Sequence, residues 1–218
     1  MQDFLSAVDR IIGGLEKKTK VMTQDEKHTI ALHEAGHATI SWFLQYASPL
    51  VKVTIVPRGQ ALGAAWYLPE ERNITTKEQM EDEICATLGG RAAEELVFDT
   101  VTTGASNDIE QATKLARAMI TRYGMSDFDM VAFETVSNQY LGGDTSLACS
   151  AQTAAKIDEM VVEVVKKAHA KATKILEENI GKLHEISKKL YEEESKTGEQ
   201  FMELLSREVI VDDAGSDA

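Results

Sequence analysis

Three residues in one short stretch have the types and the spacing of a metal site. His33, Glu34 and His37 lie in IALHEAGHATI, residues 30–40, and form the pattern H-E-x-x-H. On a helix, side chains four positions apart lie on one face, so both imidazoles can reach one Zn²⁺ at about 2.0–2.1 Å. Glu34 stands beside that face, where its carboxylate can hold a water bound to the metal. Chance is a weak alternative, because two of only five histidines stand at ligand spacing.

The two histidines need a third protein ligand, since catalytic zinc sites typically have three plus a water. The longer motif H-E-x-x-H-x-x-G-x-x-H is excluded because its third histidine would fall on Phe43. Carboxylates remain, and the candidates are Glu94, Glu95 and Asp108. Each has an ordinary alternative: a solvated helix face for Glu94, and for Asp108 an acid favoured by the dipole at a helix start. Spacing alone does not choose between them.

A helix must carry the H-E-x-x-H pattern, and its start is marked. Thr23 and Glu26 form a T-x-x-E capping box, and the predicted helix runs to about Gln45. Gly36 lies inside it. Glycine in a helix costs about 1 kcal/mol relative to alanine. Its presence indicates close packing or a nearby ligand.

The rest of the chain predicts a mainly α domain with a small two- or three-stranded β-sheet and a C-terminal helical hairpin. Apolar spacing and turn residues place the elements as follows: strands at 51–57 and 63–69, a helix at 76–98, a loop at 102–108, a helix at about 107–123, an irregular segment at 125–150, a helical hairpin bending at Gly181, and a short helix capped by Thr197 and Gln200.

Composition narrows the function classes. The formal net charge of -13 disfavours a nucleic-acid partner, which would need a basic face. Cys85 and Cys149 are too few and too far apart for a disulfide scaffold or a cysteine-rich zinc site. The sequence has no apolar run of membrane-spanning length, so we expect this chain to be soluble.

Five motifs, in this order, resemble the protease domain of FtsH-type ATP-dependent zinc metalloproteases, and the resemblance covers about residues 8–206. They are HEAGHA (33–38), VPRGQALG (56–63), GGRAAEEL (89–96), TGASNDIEQATKLAR (103–117) and YGM (123–125). The resemblance implies that Asp108, in the TGAxxD loop, is the third zinc ligand. It also implies that Glu94 contacts a ligating histidine and orients its imidazole.

The resemblance further implies a zinc-dependent endopeptidase that cuts unfolded or flexible proteins, with Glu34 as general base. It would be the proteolytic part of a membrane protease for protein quality control, with an ATPase module on the same chain and a homo-hexameric ring. The domain would face the cytoplasm. The sequence contains no G-x-x-x-x-G-K-[ST], so we expect the ATPase module and membrane anchor to lie outside this chain. We expect a linker at 1–22, the protease domain at 23–208 and a disordered acidic tail at 209–218.

Several alternatives stay open. The strand formed by Gly63, Ala64, Ala65, Trp66 and Tyr67 could bind an extended substrate at its edge or simply pack in the sheet, and the two readings weigh equally. The domain could instead be an assembly module with an idle metal site. A structural zinc site is disfavoured because such sites normally have four protein ligands. Ni²⁺ or Fe²⁺ could also occupy two histidines and a carboxylate.

Overall fold

A computed structural model describes residues 22–57, 63–67, 74–137 and 144–206. Helices dominate these residues, so the predicted mainly α fold with a small sheet is confirmed. The expected tail at 209–218, and the expected linker apart from Met22, lie outside the described residues. The elements are α1 (Gln24–Phe43), β1 (Leu50–Thr54), β2 (Ala64–Tyr67), α2 (Lys77–Thr87), α3 (Gly89–Phe98), a 3-10 turn (Thr103–Ala105), α4 (Ser106–Thr121), β3 (Glu134–Ser137), β4 (Asp144–Leu147), α5 (Ala151–Glu178), α6 (Ile180–Glu193), β5 (Ser195–Thr197) and α7 (Gly198–Ser206).

Helix α1 is the central element of the fold. It begins with the predicted capping box: Thr23 Oγ1 accepts the Glu26 N–H at 3.2 Å, and Glu26 Oε2 accepts the Thr23 N–H at 2.8 Å. Most of the helix beyond its first turns is buried, and α3 and α6 both pack against it. A helix enclosed on several sides is a rigid support for any side chain that it carries.

Two glycines allow α1 and α3 to cross in close contact. A Cβ on Gly36 would stand 2.5 Å from the Gly89 carbonyl oxygen and 2.7 Å from the Ala93 Cβ. A Cβ on Gly89 would stand 3.0 Å from the His37 Cα. Close packing of helices therefore explains the glycine inside α1.

The single helix predicted from residue 76 to 98 is wrong, because the chain breaks at Leu88 into α2 and α3. Leu88 has φ -85° and ψ 0° and is buried. Thr76 caps α2 as predicted, with its Oγ1 accepting the Gln79 N–H. No proline marks the break, and its sequence signal is the pair Gly89-Gly90, because glycine has low helix propensity.

The three-stranded antiparallel sheet has the order β2-β1-β5. The first two strands match the prediction, with Val53 opposite Ala65, although β1 ends at Thr54 rather than at residue 57. The third strand, β5, pairs Lys196 with Val53. Among the described strands none pairs with the outer edge of β2.

The segment 125–150, predicted to be irregular, contains an antiparallel hairpin. Strand β3 pairs with β4, with Glu134 opposite Leu147 and Ser137 opposite Asp144. The prediction missed it because ETVS and DTSL are short and mostly polar, so neither shows the apolar alternation that marks a strand.

The C-terminal helices follow the predicted order. Helix α5 is capped by Ser150, and the chain bends at Asn179, two residues before the expected Gly181. Helix α6 packs mainly against α1, while α5 contacts α2, α3 and α4. Thr197 and Gln200 cap α7 as predicted. None of the described helices combines the length and apolar content that crossing a bilayer requires.

Candidate metal centre

Three side chains from two helices converge on one point. His33 Nε2 lies 3.1 Å from His37 Nε2 and 3.1 Å from Asp108 Oδ2, and His37 Nε2 lies 3.5 Å from the same carboxylate oxygen. A tetrahedral zinc ion with bonds of about 2.0 Å separates its ligand atoms by about 3.3 Å. Within the described part of the chain, no other group of three histidine, cysteine or carboxylate side chains is this compact.

The hydrogen-bond partners of the two Nδ1 atoms determine which nitrogen of each neutral imidazole carries the proton. His33 Nδ1 lies 2.7 Å from Glu94 Oε1, and His37 Nδ1 lies 2.9 Å from the Ala86 carbonyl oxygen. Both partners only accept hydrogen bonds, so each Nδ1 carries a proton. In the neutral rings both Nε2 lone pairs then face Asp108, and three acceptors this close repel unless a cation lies among them. Two imidazoles and a carboxylate form a donor set that suits Zn²⁺.

The proximity of these side chains shifts the pKa values of His33 and Asp108. Burial acts to lower the pKa of His33, but its hydrogen bonds to Asp108 and Glu94 raise it to about 10. Burial acts in the opposite sense on Asp108, whose pKa nevertheless falls well below its usual range because His33 and His37 contact the carboxylate. Without a metal, a proton on His33 therefore partly balances the negative charges of Asp108 and Glu94.

Glu94 and Glu95 occupy different environments although they are neighbours on α3. Glu94 is 1% exposed, so the alternative of a solvated helix face is wrong for it. Burial acts to raise the pKa of Glu94, but hydrogen bonds with His33 and Thr102 lower it overall. Glu95 instead lies 3.2 Å from His169 Nε2, away from the site. Of the three candidate carboxylates, Asp108 is the one that approaches both inward nitrogens.

Glu34 lies beside the three converging side chains and is almost fully buried. Burial raises the pKa of its carboxyl. Gly63 covers it closely, since a Cβ on Gly63 would stand 2.6 Å from Glu34 Oε1. A buried carboxyl with a raised pKa next to a candidate metal site is typical of a catalytic acid or base.

Strand β2 lies alongside α1, on the side of that helix that carries Glu34. Gly63 precedes the strand and contacts Glu34, while the Tyr67 hydroxyl at its other end accepts a hydrogen bond of 3.0 Å from Ser41 Oγ. Ala64, Ala65 and Trp66 lie between them and are half-buried. The candidate substrate strand is therefore close to the site.

Sequence reasoning missed two groups that support the site. The Ala86 carbonyl orients His37, and no sequence motif marks it, because it is a backbone atom in the last turn of α2. The Thr102 N–H donates to Glu94 Oε2 at 3.1 Å, and Thr102 lies just before the TGAxxD loop. Its position next to that loop was the available signal.

Comparison with known proteins gives the family. Residues 20–204 match Peptidase family M41 over most of the chain. The chain belongs to peptidase family M41. It is an FtsH-type protease domain, which confirms the resemblance, and the activity of this family domain is that of a metalloendopeptidase.

Individual relatives agree with the family match. An ATP-dependent zinc metalloprotease FtsH of Parabacteroides distasonis is 56% identical over 180 residues, which are 82% of this chain and 26% of the relative. The FtsH of Clostridium perfringens is 50% identical over 94% of this chain and 29% of its own length. The mitochondrial ATP-dependent zinc metalloprotease FTSH 3 of Arabidopsis thaliana is 45% identical over 94% of this chain and 25% of its own length. The chain thus spans less than a third of these relatives.

Proposed function

We propose that this M41 domain hydrolyses peptide bonds with a zinc ion held by His33, His37 and Asp108. The observation that carries the proposal is the meeting of two Nε2 atoms and one carboxylate oxygen at 3.1–3.5 Å, with both Nδ1 atoms already bonded outward. Such a group of acceptors is stabilised by a cation. The names of the relatives, which specify zinc, support that metal over Ni²⁺ or Fe²⁺.

Each group of the site has a separate role in the proposed hydrolysis. A zinc ion held by these residues would lower the pKa of a water molecule and polarise the peptide carbonyl. Glu34 takes the proton of the attacking water and passes it to the leaving amine. Its raised pKa suits this role, because a base works best with a pKa near the working pH. Glu94 and the Ala86 carbonyl hold the two imidazoles in the required orientation.

The outer edge of β2 is the proposed binding surface for the substrate backbone. An extended peptide could add to this edge as a further antiparallel strand, with main-chain hydrogen bonds that require little sequence preference. The contact of Gly63 with Glu34 supports this placement, because it puts the start of the strand directly over the proposed base. Gly63, Ala64, Ala65, Trp66 and Tyr67 would form the contact.

The whole protein would couple this domain to an ATPase module of the same chain. The relatives are named ATP-dependent, and this chain spans less than a third of their length. We propose a membrane-anchored homo-hexamer with this domain in the cytoplasm, where it degrades unfolded proteins for quality control. Without an unfoldase, the domain should cut only flexible or unfolded chains.

The substitution Glu34→Gln tests the proposed role of the base. We expect the variant to bind zinc like the wild type, because Glu34 is not a ligand, while hydrolysis of unstructured casein falls by about 10²–10⁴-fold. Glu78→Gln, at an exposed position on α2, is the control and should cleave normally. Normal cleavage by Glu34→Gln would show that Glu34 is not the base. A wild type that binds zinc but cleaves no unstructured chain would favour the assembly module instead.

A further inference from the structure

Thr102 lies between Glu94 and Asp108 in the chain and is hydrogen-bonded to Glu94. All of its polar groups are engaged: its N–H donates to Glu94 Oε2 at 3.1 Å, its Oγ1 accepts the Gly104 N–H at 3.1 Å, and its carbonyl accepts a hydrogen bond of 2.8 Å from Arg91 Nη2. Thr102 is therefore fixed from three directions.

Thr102 stands between two parts of the proposed metal centre. On one side, Glu94 is hydrogen-bonded to His33 at 2.7 Å, so the position of Glu94 sets the orientation of the His33 imidazole. On the other side, the 3-10 turn begins at the next residue and leads directly into α4, which carries Asp108 in its first turn. A shift of the Thr102 peptide would therefore move Glu94, which orients His33, and also the 3-10 turn that leads to Asp108.

Arg91 supplies the contact that holds the Thr102 carbonyl. It lies three residues before Glu94 on α3, so both side chains project from the same face. Its other terminal nitrogen, Nη1, is buried and has no hydrogen-bond partner among the described residues. A charged donor makes the bond to the carbonyl stronger than a neutral one would.

We propose that Arg91 is a positioning residue of the metal centre: by holding the Thr102 carbonyl, it sets the orientation of Glu94 and the position of Asp108. The inference rests on the zinc site proposed above. Arg91 contacts neither of the imidazoles nor Asp108 through a hydrogen bond or ion pair in the described structure, so it acts through Thr102.

The test compares Arg91→Met with two variants that differ in one property each. Arg91→Lys keeps a charged donor of similar length. Arg117→Met is the matched control, because Arg117 also makes one short contact, 2.7 Å from Nη2 to Asp158, but on the far part of α4. The readouts are the zinc dissociation constant by chelator competition, amide hydrogen exchange of Thr102 and Gly104 in zinc-free protein, and kcat and KM on an unstructured peptide.

We expect Arg91→Met to weaken zinc binding by about 10–100-fold, the usual effect of removing an outer support of a metal ligand. Exchange at Thr102 and Gly104 should accelerate, and kcat should fall with KM unchanged. Arg91→Lys should recover most of the zinc affinity, and Arg117→Met should match the wild type. If Arg91→Met has the zinc affinity and amide exchange of Arg117→Met, the proposal is wrong.

Two features keep this test separate from the proposed function. Zinc affinity and amide exchange need no peptidase activity, so they judge Arg91 even if the wild type does not cleave. If Arg91→Met fails to fold, Arg91→Gln replaces it, because its shorter amide does not reach the Thr102 carbonyl but keeps a polar side chain. Wild-type zinc affinity in a folded Arg91→Gln would also overturn the proposal.

Discussion

At the scale of single residues, the protonation of His33 links pH to metal binding. Its pKa of about 10 in the metal-free site means that the imidazole carries a proton at neutral pH. Zinc requires the neutral ring, so binding must release that proton. A raised pKa also means that this proton stabilises the metal-free fold below about pH 6.5, and that the stabilisation is lost as pH rises toward 10.

The expected result is that zinc binding at about pH 7.5 releases at least one proton per chain, and that affinity rises as pH increases toward 10. Isothermal titration calorimetry in two buffers of different ionisation enthalpy measures the release directly. Glu94→Gln is the comparison, because it removes a carboxylate that raises the pKa of His33 and leaves all three proposed zinc ligands in place. The same observed enthalpy in both buffers would show that zinc binding releases no proton, which would contradict this prediction.

The sequence predicted the two histidines and Glu34 because a helix fixes their relation within one turn. Asp108 is 71 residues beyond His37, and only the resemblance to a family selected it over Glu94 and Glu95. Their neighbours in the chain do not reveal that Glu94 turns into the site while Glu95 faces His169. Such differences arise from how α3 packs on α1.

At the scale of elements, the crossing of α1 and α3 sets the position of the site. Gly36→Ala would ordinarily stabilise a helix by about 1 kcal/mol. Here the new methyl would meet the Gly89 carbonyl at 2.5 Å, so we expect the helices to separate and stability to fall by about 1–3 kcal/mol. Zinc affinity should fall as well, because Gly36 precedes His37.

Thermal unfolding of zinc-free protein measures this effect, with Gly181→Ala as the control. Gly181 lies at an exposed position near the start of α6, where added helix propensity should leave stability equal or slightly higher. Gly36→Ala with unchanged or increased stability would mean that the two helices do not depend on this close contact.

Element boundaries were predictable where side chains mark them. Capping pairs beginning at Thr23, Thr76 and Thr197 located three helix starts, because the cap bonds are local. The break at Leu88 and the strand β5 were missed because tertiary contacts determine them: the α1–α3 crossing in one case and pairing with β1 in the other.

At the scale of the whole molecule, a zinc ion would join α1 directly to α4, two helices that otherwise meet mainly through α2 and α5, which pack against both. A ligand that binds only the folded state stabilises it by about 2.7 kcal/mol at a hundredfold excess over its Kd. For a chain of this size we expect chelation to lower Tm by about 5–10 °C, and zinc to restore it.

Differential scanning calorimetry with and without a chelator checks this prediction. Asp108→Ala should unfold at the same temperature in both conditions, because it lacks the ligand that connects α4 to the site. A wild-type Tm that chelation and zinc leave unchanged would show that the metal does not link the two helices.

The most direct test of the proposed metal centre is zinc content by mass spectrometry, with casein hydrolysis measured on the same samples, for the wild type, Asp108→Ala and the control Glu95→Ala. We predict about one zinc per chain and cleavage for the wild type and Glu95→Ala, and loss of both for Asp108→Ala. If Asp108→Ala retains zinc and activity, Asp108 is not the third ligand and the proposed metal centre is wrong.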